Sequence, residues 1–121
     1  MRRILYVEDD PINALVMQRL LKKHYEVVHV TDGETCLSML DTETFDLILM
    51  DINLGKGKMD GVETLHRIRA NPATNKIIVI TVTSYALAED KERFLREGFD
   101  AYLAKPVDRQ VLLKTLDQYI G

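Results

Sequence analysis

At 121 residues the chain is long enough for one domain with a buried core and too short for two. Apolar residues make up 46% of it and charged residues 29%, an ordinary globular balance, and a net charge of -3 argues against the basic surface of a nucleic-acid binder. The single cysteine, Cys36, has no partner for an internal disulfide, which fits a reducing compartment.

Met1-Arg2-Arg3 resembles the start of a secretion signal, but the apolar run that follows stops at Glu8. No stretch reaches the length of a membrane span, so a cytoplasmic protein with no membrane association is expected. Ile4-Leu5-Tyr6-Val7 predicts a short buried strand ending in Glu8-Asp9-Asp10, and Pro11 suits the first turn of a helix. Ile12, Leu15, Val16, Leu20 and Leu21 recur at helical spacing and are expected to form that helix's inward stripe, closed by Lys22, Lys23 and His24.

Glu26–Val30 predicts the second strand, and Thr31-Asp32-Gly33 opens a second helix with Cys36, Leu37 and Leu40 inward. Phe45-Asp46 leads into Leu47-Ile48-Leu49-Met50, four apolar residues that stop at Asp51, as in a parallel strand covered on both faces. A glycine- and lysine-bearing loop follows from Ile52 to Met59. Asp60 and Glu63 have capping-box spacing before a third helix carrying Val62, Leu65 and Ile68, which Asn71-Pro72 stops. Ile77–Val82 is β-branched and predicts the fourth strand. A highly charged fourth helix, roughly Leu87 to Glu97, is anchored by Leu87, Phe94 and Leu95, ends at Gly98 and is expected to be comparatively mobile. Ala101–Ala104 is a fifth strand cut off by Lys105-Pro106, and the last helix carries Val111, Leu112, Leu116, Tyr119 and Ile120.

Strands alternating with helices predict an α/β fold, a doubly wound parallel sheet of five strands with five helices on its two faces. No linker or repeat divides the chain, so residues 1–121 read as one domain. The strand ends of such a sheet share one edge, where ligands gather. Glu8 and Asp9, Asp51, Thr83 and Ser84, and Lys105 would all stand on that edge. Carboxylates brought together raise one another's pKa unless a cation joins them, and oxygen donors without histidine or thiolate favour a hard ion such as Mg²⁺. A carboxylate beside such an ion and a lysine can accept a phosphoryl group as an acyl phosphate.

These residues carry a resemblance over essentially the whole chain. Val7-Glu8-Asp9, the run Asp46 to Asp51, Asp60-Gly61, Thr83 twenty-two residues before Lys105, and Lys105-Pro106 together resemble the response-regulator receiver domains of two-component signalling. The resemblance implies a flavodoxin-like strand order 2-1-3-4-5, with Asp51 as phosphoacceptor. It also implies Mg²⁺ held by Glu8, Asp9, Asp51 and the backbone carbonyl of Asn53. Thr83 would contact the phosphoryl oxygens, Lys105 would pair with the phosphate, and Tyr102 would be the aromatic switch that turns inward with Thr83. A cis bond before Pro106 is a further implication.

The expected phosphoryl donor is a histidine kinase or histidine phosphotransfer protein, and the signal leaves through an unidentified downstream protein or by onward transfer. The chain would catalyse only its own phosphorylation and dephosphorylation. An excised receiver of a hybrid histidine kinase, or a phosphorelay intermediate, is the alternative. Two features depart from the family pattern: the loop Leu54–Met59 is about two residues longer and lacks a proline, and Tyr85 is a large residue where phosphoryl lifetime is set.

Each residue alone has a plainer reading. Asp10 suits a helix cap, though Asp9-Asp10 would serve as the acidic pair in an alternative frame. Thr81 and Thr83 share one side of their strand, and only the spacing to Lys105 selects Thr83. His24, His29 and His66 lie on separate elements and read as surface or packing residues, Lys56 and Lys58 as solvated charges, and Cys36 as a small hydrophobe. An aspartyl phosphohydrolase would need an acid where Asn53 stands, and a flavin carrier would need a phosphate cradle where Glu8-Asp9-Asp10 stands. A receiver fold that has lost phosphorylation would be expected to lack the acceptor, the acid pair or the lysine, and all are present.

Overall fold

A computed structural model describes residues 1–85 and 87–121. Five strands alternate with five helices: β1 (Arg3–Val7), α1 (Pro11–Leu21), β2 (Glu26–Val30), α2 (Gly33–Thr42), β3 (Leu47–Met50), α3 (Gly61–Ala70), β4 (Ile78–Thr83), α4 (Ala88–Glu97), β5 (Ala101–Ala104) and α5 (Arg109–Ile120). All pairings are parallel, in the order β2-β1-β3-β4-β5. The doubly wound sheet and its 2-1-3-4-5 order are as the sequence and the resemblance imply.

Alternation along each strand divides the core in two. Ile4, Tyr6, Leu47, Leu49, Ile80, Val82 and Leu103 face α1 and α5, which contribute Ala14, Met17 and Leu21, and Leu112, Leu116 and Ile120. Leu5, Val7, Ile48, Met50 and Val79 face the other layer, where Cys36, Leu65, Ile68 and Phe94 meet them. β1 and β3 are covered on both faces, which is why their apolar runs are unbroken.

Three helix faces differ from expectation. On α1 the inward residues are Ala14, Met17 and Leu21, while Ile12, Leu15 and Val16 are 68%, 47% and 52% exposed. On α4 only Phe94 is buried; Leu87 caps the helix from outside and Leu95 faces solvent. On α5 Val111 is exposed and the stripe is Leu112, Leu116 and Ile120, with Tyr119 packed at its edge. The structure also adds Phe99, just past α4, to the core.

Helix starts follow their caps. Asp10 Oδ1 accepts from Ile12 N at 2.8 Å and from Asn13 N at 3.2 Å, and Asp60 Oδ1 accepts from Glu63 N at 2.9 Å. The Glu63 carboxylate lies 3.5 Å from Arg67, one turn along. At the far edge of the sheet, Asp100 accepts from Val79 N at 2.8 Å and from Arg69 at 3.0 Å, tying β4, α3 and the start of β5 together.

Candidate functional site

The site lies where the strands end. β1 and β3 are neighbours with Val7 opposite Met50, so the next residues, Glu8 and Asp51, leave the sheet side by side. Glu8 N donates to Val30 O at 3.0 Å and Asp51 N to Val7 O at 3.1 Å, carrying the ladder one residue beyond the strands. Glu8, Asp9 and Asp51 each offer a carboxylate oxygen, all within 4.8 Å of one another. Glu8 and Asp51 are buried and Asp9 is exposed, so the cluster opens to solvent on the Asp9 side.

Lys105 reaches the cluster from the end of β5. Its backbone N donates to Thr83 O at 2.9 Å, and its peptide bond to Pro106 is cis. The ammonium donates to Glu8 Oε1 at 2.7 Å and to Asp51 Oδ2 at 2.9 Å. Asp51 Oδ1 accepts from Ile52 N at 2.8 Å. Behind Asp51, Gly61 N donates to Ile52 O at 2.8 Å, and a Cβ on Gly61 would stand 2.1 Å from Asp51 O. Glycine there lets the start of α3 press against the backbone of the acidic residue.

Burial pushes the Asp51 carboxyl up to about 7, and the adjoining Glu8 carboxylate adds to the rise against the pull of Lys105. Glu8 behaves oppositely: burial acts to raise it, but hydrogen bonding with Asp51 and Lys105 outweighs this and holds it below the usual carboxylate range. Asp9 is raised by desolvation and by Glu8. Burial opposes the charge on Lys105, yet its bonds to Glu8 and Asp51 keep its pKa raised. Without another cation the site therefore holds one firm carboxylate, one ammonium and a proton-prone Asp51.

Thr83 is buried at the last position of β4, opposite Ala104, and its Oγ1 accepts from Tyr85 N at 3.3 Å. Thr81 stands two residues earlier, and its buried Oγ1 has no partner among the described residues. Asn53 is exposed, with Oδ1 accepting from Gly55 N at 3.3 Å. Asp10 is spent on capping α1, which favours the Glu8–Asp9 frame over Asp9–Asp10. The long loop turns through Gly55 and Gly57, both left-handed at φ 108° and 77°, and Lys58 lies 4.0 Å from Asp32.

Tyr102, partly buried on β5, stacks on Phe94 at 6.4 Å and donates its hydroxyl to Tyr85 O at the surface. The Tyr85 ring meets the edge of Phe94 at 6.1 Å. Cys36 is buried, and burial pushes its thiol up to about 12, as befits a packing residue. His66 lies 2.9 Å from Glu97, and His24 is exposed. Two contacts escaped the sequence reading: His29 Nε2 is 2.7 Å from Glu8 O, and Tyr6 Oη donates to Glu8 Oε1 at 3.0 Å. Tyr6 shares its side of β1 with Glu8, since positions two apart in an extended chain face the same way. That alternation was the signal available for it.

The fold and the acidic edge with its lysine define a doubly wound α/β domain built around a carboxylate–ammonium site. The model of the response regulator receiver domain matches residues 4–117. Sensor protein GacS of Pseudomonas syringae pv. syringae is 34% identical over 123 residues, an alignment covering 98% of this chain and 13% of that protein. A 14.6 kDa protein of Leptolyngbya boryana is 35% identical over 117 residues, covering 96% of this chain and 88% of that one. Among solved structures, the receiver domain of sensor histidine kinase PA1611 from Pseudomonas aeruginosa PAO1 superposes with a TM-score of 0.88 at 36% identity. That match covers 99% of this chain and 98% of the other, which carries a magnesium ion coordinated in its active-site cleft. The chain belongs to the response regulator receiver domains, the phosphoacceptor modules of two-component signalling. It spans about an eighth of GacS, and no helix among the described residues is long and apolar enough to cross a membrane.

Proposed function

We propose that Asp51 takes a phosphoryl group from a phosphohistidine on a histidine kinase or histidine phosphotransfer protein, in a Mg²⁺-dependent reaction within the cytoplasm. The observation that carries this is the sharing of the Lys105 ammonium between Glu8 and Asp51, at 2.7 and 2.9 Å, with Asp9 completing the carboxylate cluster. An all-oxygen donor set with one exposed member fits a hard divalent ion that keeps several waters. Glu8, Asp9, Asp51 and the Asn53 carbonyl are the groups assigned to hold it. Bound there, the ion would neutralise charge on phosphoryl oxygens and hold Asp51 ionised.

The chain's residues supply the rest. An Asp51 carboxylate oxygen attacks phosphorus in line; the O–P bond forms as the N–P bond to the donor imidazole breaks, and the electron pair and a solvent proton return to the ring nitrogen. Lys105 exchanges its bond to Asp51 for one to a phosphoryl oxygen, and the Thr83 hydroxyl donates to another. Moving Thr83 releases its contact with Tyr85 N, which frees Tyr102 to turn inward and alters the surface of α4, β5 and α5. Attack by water on phosphorus reverses the modification, so the only chemistry performed is the chain's own phosphorylation and dephosphorylation. Tyr85 helps set that lifetime, and the dephosphorylation rate of Tyr85→Ala tests its part.

The donor protein is assigned to the outer face of α1. Ile12, Leu15 and Val16 stand at i, i+3 and i+4, which makes one exposed apolar patch. A cleft of about 210 Å³ beside them is lined by Asn13, Val16, Pro106 and Val107 and reaches Lys105. Intact-mass measurement after incubation with a small acyl-phosphate donor tests the reading. One added phosphoryl group with Mg²⁺ is expected, and none for Asp51→Asn; steady turnover of a phosphomonoester without labelling would replace this reading with a phosphohydrolase.

A further inference from the structure

Glu8 is the least exposed member of the acidic cluster, at 0%, and its carboxylate has three donors. Lys105 Nζ and Tyr6 Oη both bind Oε1, at 2.7 and 3.0 Å, and Asp10 N binds Oε2 at 3.2 Å. Tyr6 is itself 1% exposed, next to the last residue of β1, among the apolar side chains that face α1 and α5. A phenylalanine would fill that space equally well, so the hydroxyl is surplus to packing. A phenol in an apolar layer needs a partner, and here the partner is the anion two residues along. The neighbouring His29 ring, 5.9 Å away, approaches the backbone carbonyl of the same Glu8.

We infer that Tyr6 is a positioning residue for the cation site: by holding Glu8 Oε1, it fixes the carboxylate so that Oε2 is the oxygen left for a cation. This rests on the proposed Mg²⁺ site. Oε1 already has two donors and is poorly placed to take a cation as well, whereas Oε2 has a single 3.2 Å contact from a backbone N–H. The arrangement matters most when Lys105 swings to a phosphoryl group. Glu8 then shares the ammonium with that phosphoryl group, and the phenol is the side-chain donor committed to Oε1 alone. Groups that orient a metal ligand through a hydrogen bond typically change metal affinity by about 10- to 100-fold when removed.

The test is Mg²⁺ binding by isothermal titration calorimetry on the full chain, for wild type, Tyr6→Phe, Glu8→Gln and the double variant. Tyr6→Phe is expected to raise the Mg²⁺ dissociation constant about tenfold. In the Glu8→Gln background the same change is expected to do nothing further, because Tyr6 acts through Glu8. With a small acyl-phosphate donor, Tyr6→Phe should raise the Mg²⁺ concentration for half-maximal labelling and leave the plateau rate unchanged. A merely structural hydroxyl would lower the melting temperature and leave the Mg²⁺ constant alone. An unchanged constant in Tyr6→Phe, or an equal loss in both backgrounds, overturns the inference while leaving the phosphoacceptor reading standing. Absence of Mg²⁺ binding by the wild type overturns both.

Discussion

The Lys105 ammonium bonds to the Asp51 carboxylate at 2.9 Å although 54 positions separate them. In the resting protein that contact compensates a buried charge; in the proposed transfer the same ammonium would receive a phosphoryl oxygen. Lys105→Ala is therefore expected to slow labelling by a small acyl-phosphate donor by about 100-fold, the scale of losing one preorganised charge-stabilising group. Mg²⁺ binding should not weaken, because a competing cation has been removed. Stopped-flow labelling and calorimetry check the two halves, and an unchanged labelling rate would contradict the role.

The raised carboxyl of Asp51 gives a pH dependence with a definite sign. Its pKa is about 7 in the folded protein, against the ordinary carboxylate value near 4 of an unfolded chain. Between those limits the folded state holds a proton that the unfolded state has lost. This contribution is full below the unfolded value and disappears as pH rises through the folded one. The lowered Glu8 acts in the opposite sense, losing its contribution only as pH falls below the usual carboxylate range. Without Mg²⁺, the melting temperature should fall between about pH 5 and about pH 8, and Asp51→Asn should flatten the change. Stabilisation by added Mg²⁺ should grow over the same interval. Scanning calorimetry across buffers checks this, and a rising metal-free profile would contradict it.

Gly61 holds its place by close approach. A methyl there would meet Asp51 O at 2.1 Å and Ile52 Cα at 2.9 Å, both backbone atoms that cannot swing aside. Gly61→Ala should cost about 1–3 kcal/mol, the usual penalty for overpacking, and should slow labelling by displacing Asp51. Urea unfolding with a labelling assay checks both; a loss below about 0.5 kcal/mol would contradict the account.

The outer patch of α1 separates two donors. Val16→Asp places a charge on the apolar face without touching the core. It should leave labelling by a small donor unchanged and reduce transfer from a phosphohistidine protein at least about tenfold, as a central interface residue does. Equal rates from the protein donor would move the docking surface elsewhere.

Much of this was legible in the sequence, for reasons that differ by element. The strands read clearly because β1 and β3 are covered on both faces, so their apolar runs are continuous and end abruptly at Glu8 and Asp51, while β4 is β-branched throughout. The α1 face did not. Ile12, Leu15 and Val16 form a stronger apolar stripe than Ala14 and Met17, and helical periodicity alone cannot say which stripe meets the sheet. The outward stripe reads as core because an exposed apolar stripe has the same spacing and composition as a buried one. Leu87 and Leu95 on α4 differ from expectation for a related reason: a helix with few apolar residues offers each as an anchor, yet Phe94 with Phe99 suffices. Convergence of Glu8, Asp9, Asp51 and Lys105 followed from topology, since parallel strands in one sheet deliver their ends to one edge. Tyr6 was hidden inside an apolar run, where a phenol and a phenyl ring look alike until the hydroxyl's partner is seen.

Residue-level mapping of the phosphoryl group tests the central claim most directly. Labelled protein reduced with borohydride converts an aspartyl phosphate to homoserine, which tandem mass spectrometry places in the sequence. Conversion at position 51, dependent on Mg²⁺ and slowed about 100-fold in Lys105→Ala, is the predicted result. Conversion at Glu8, at Asp9 or at a distant carboxylate, or labelling of Asp51 indifferent to both cations, would contradict it.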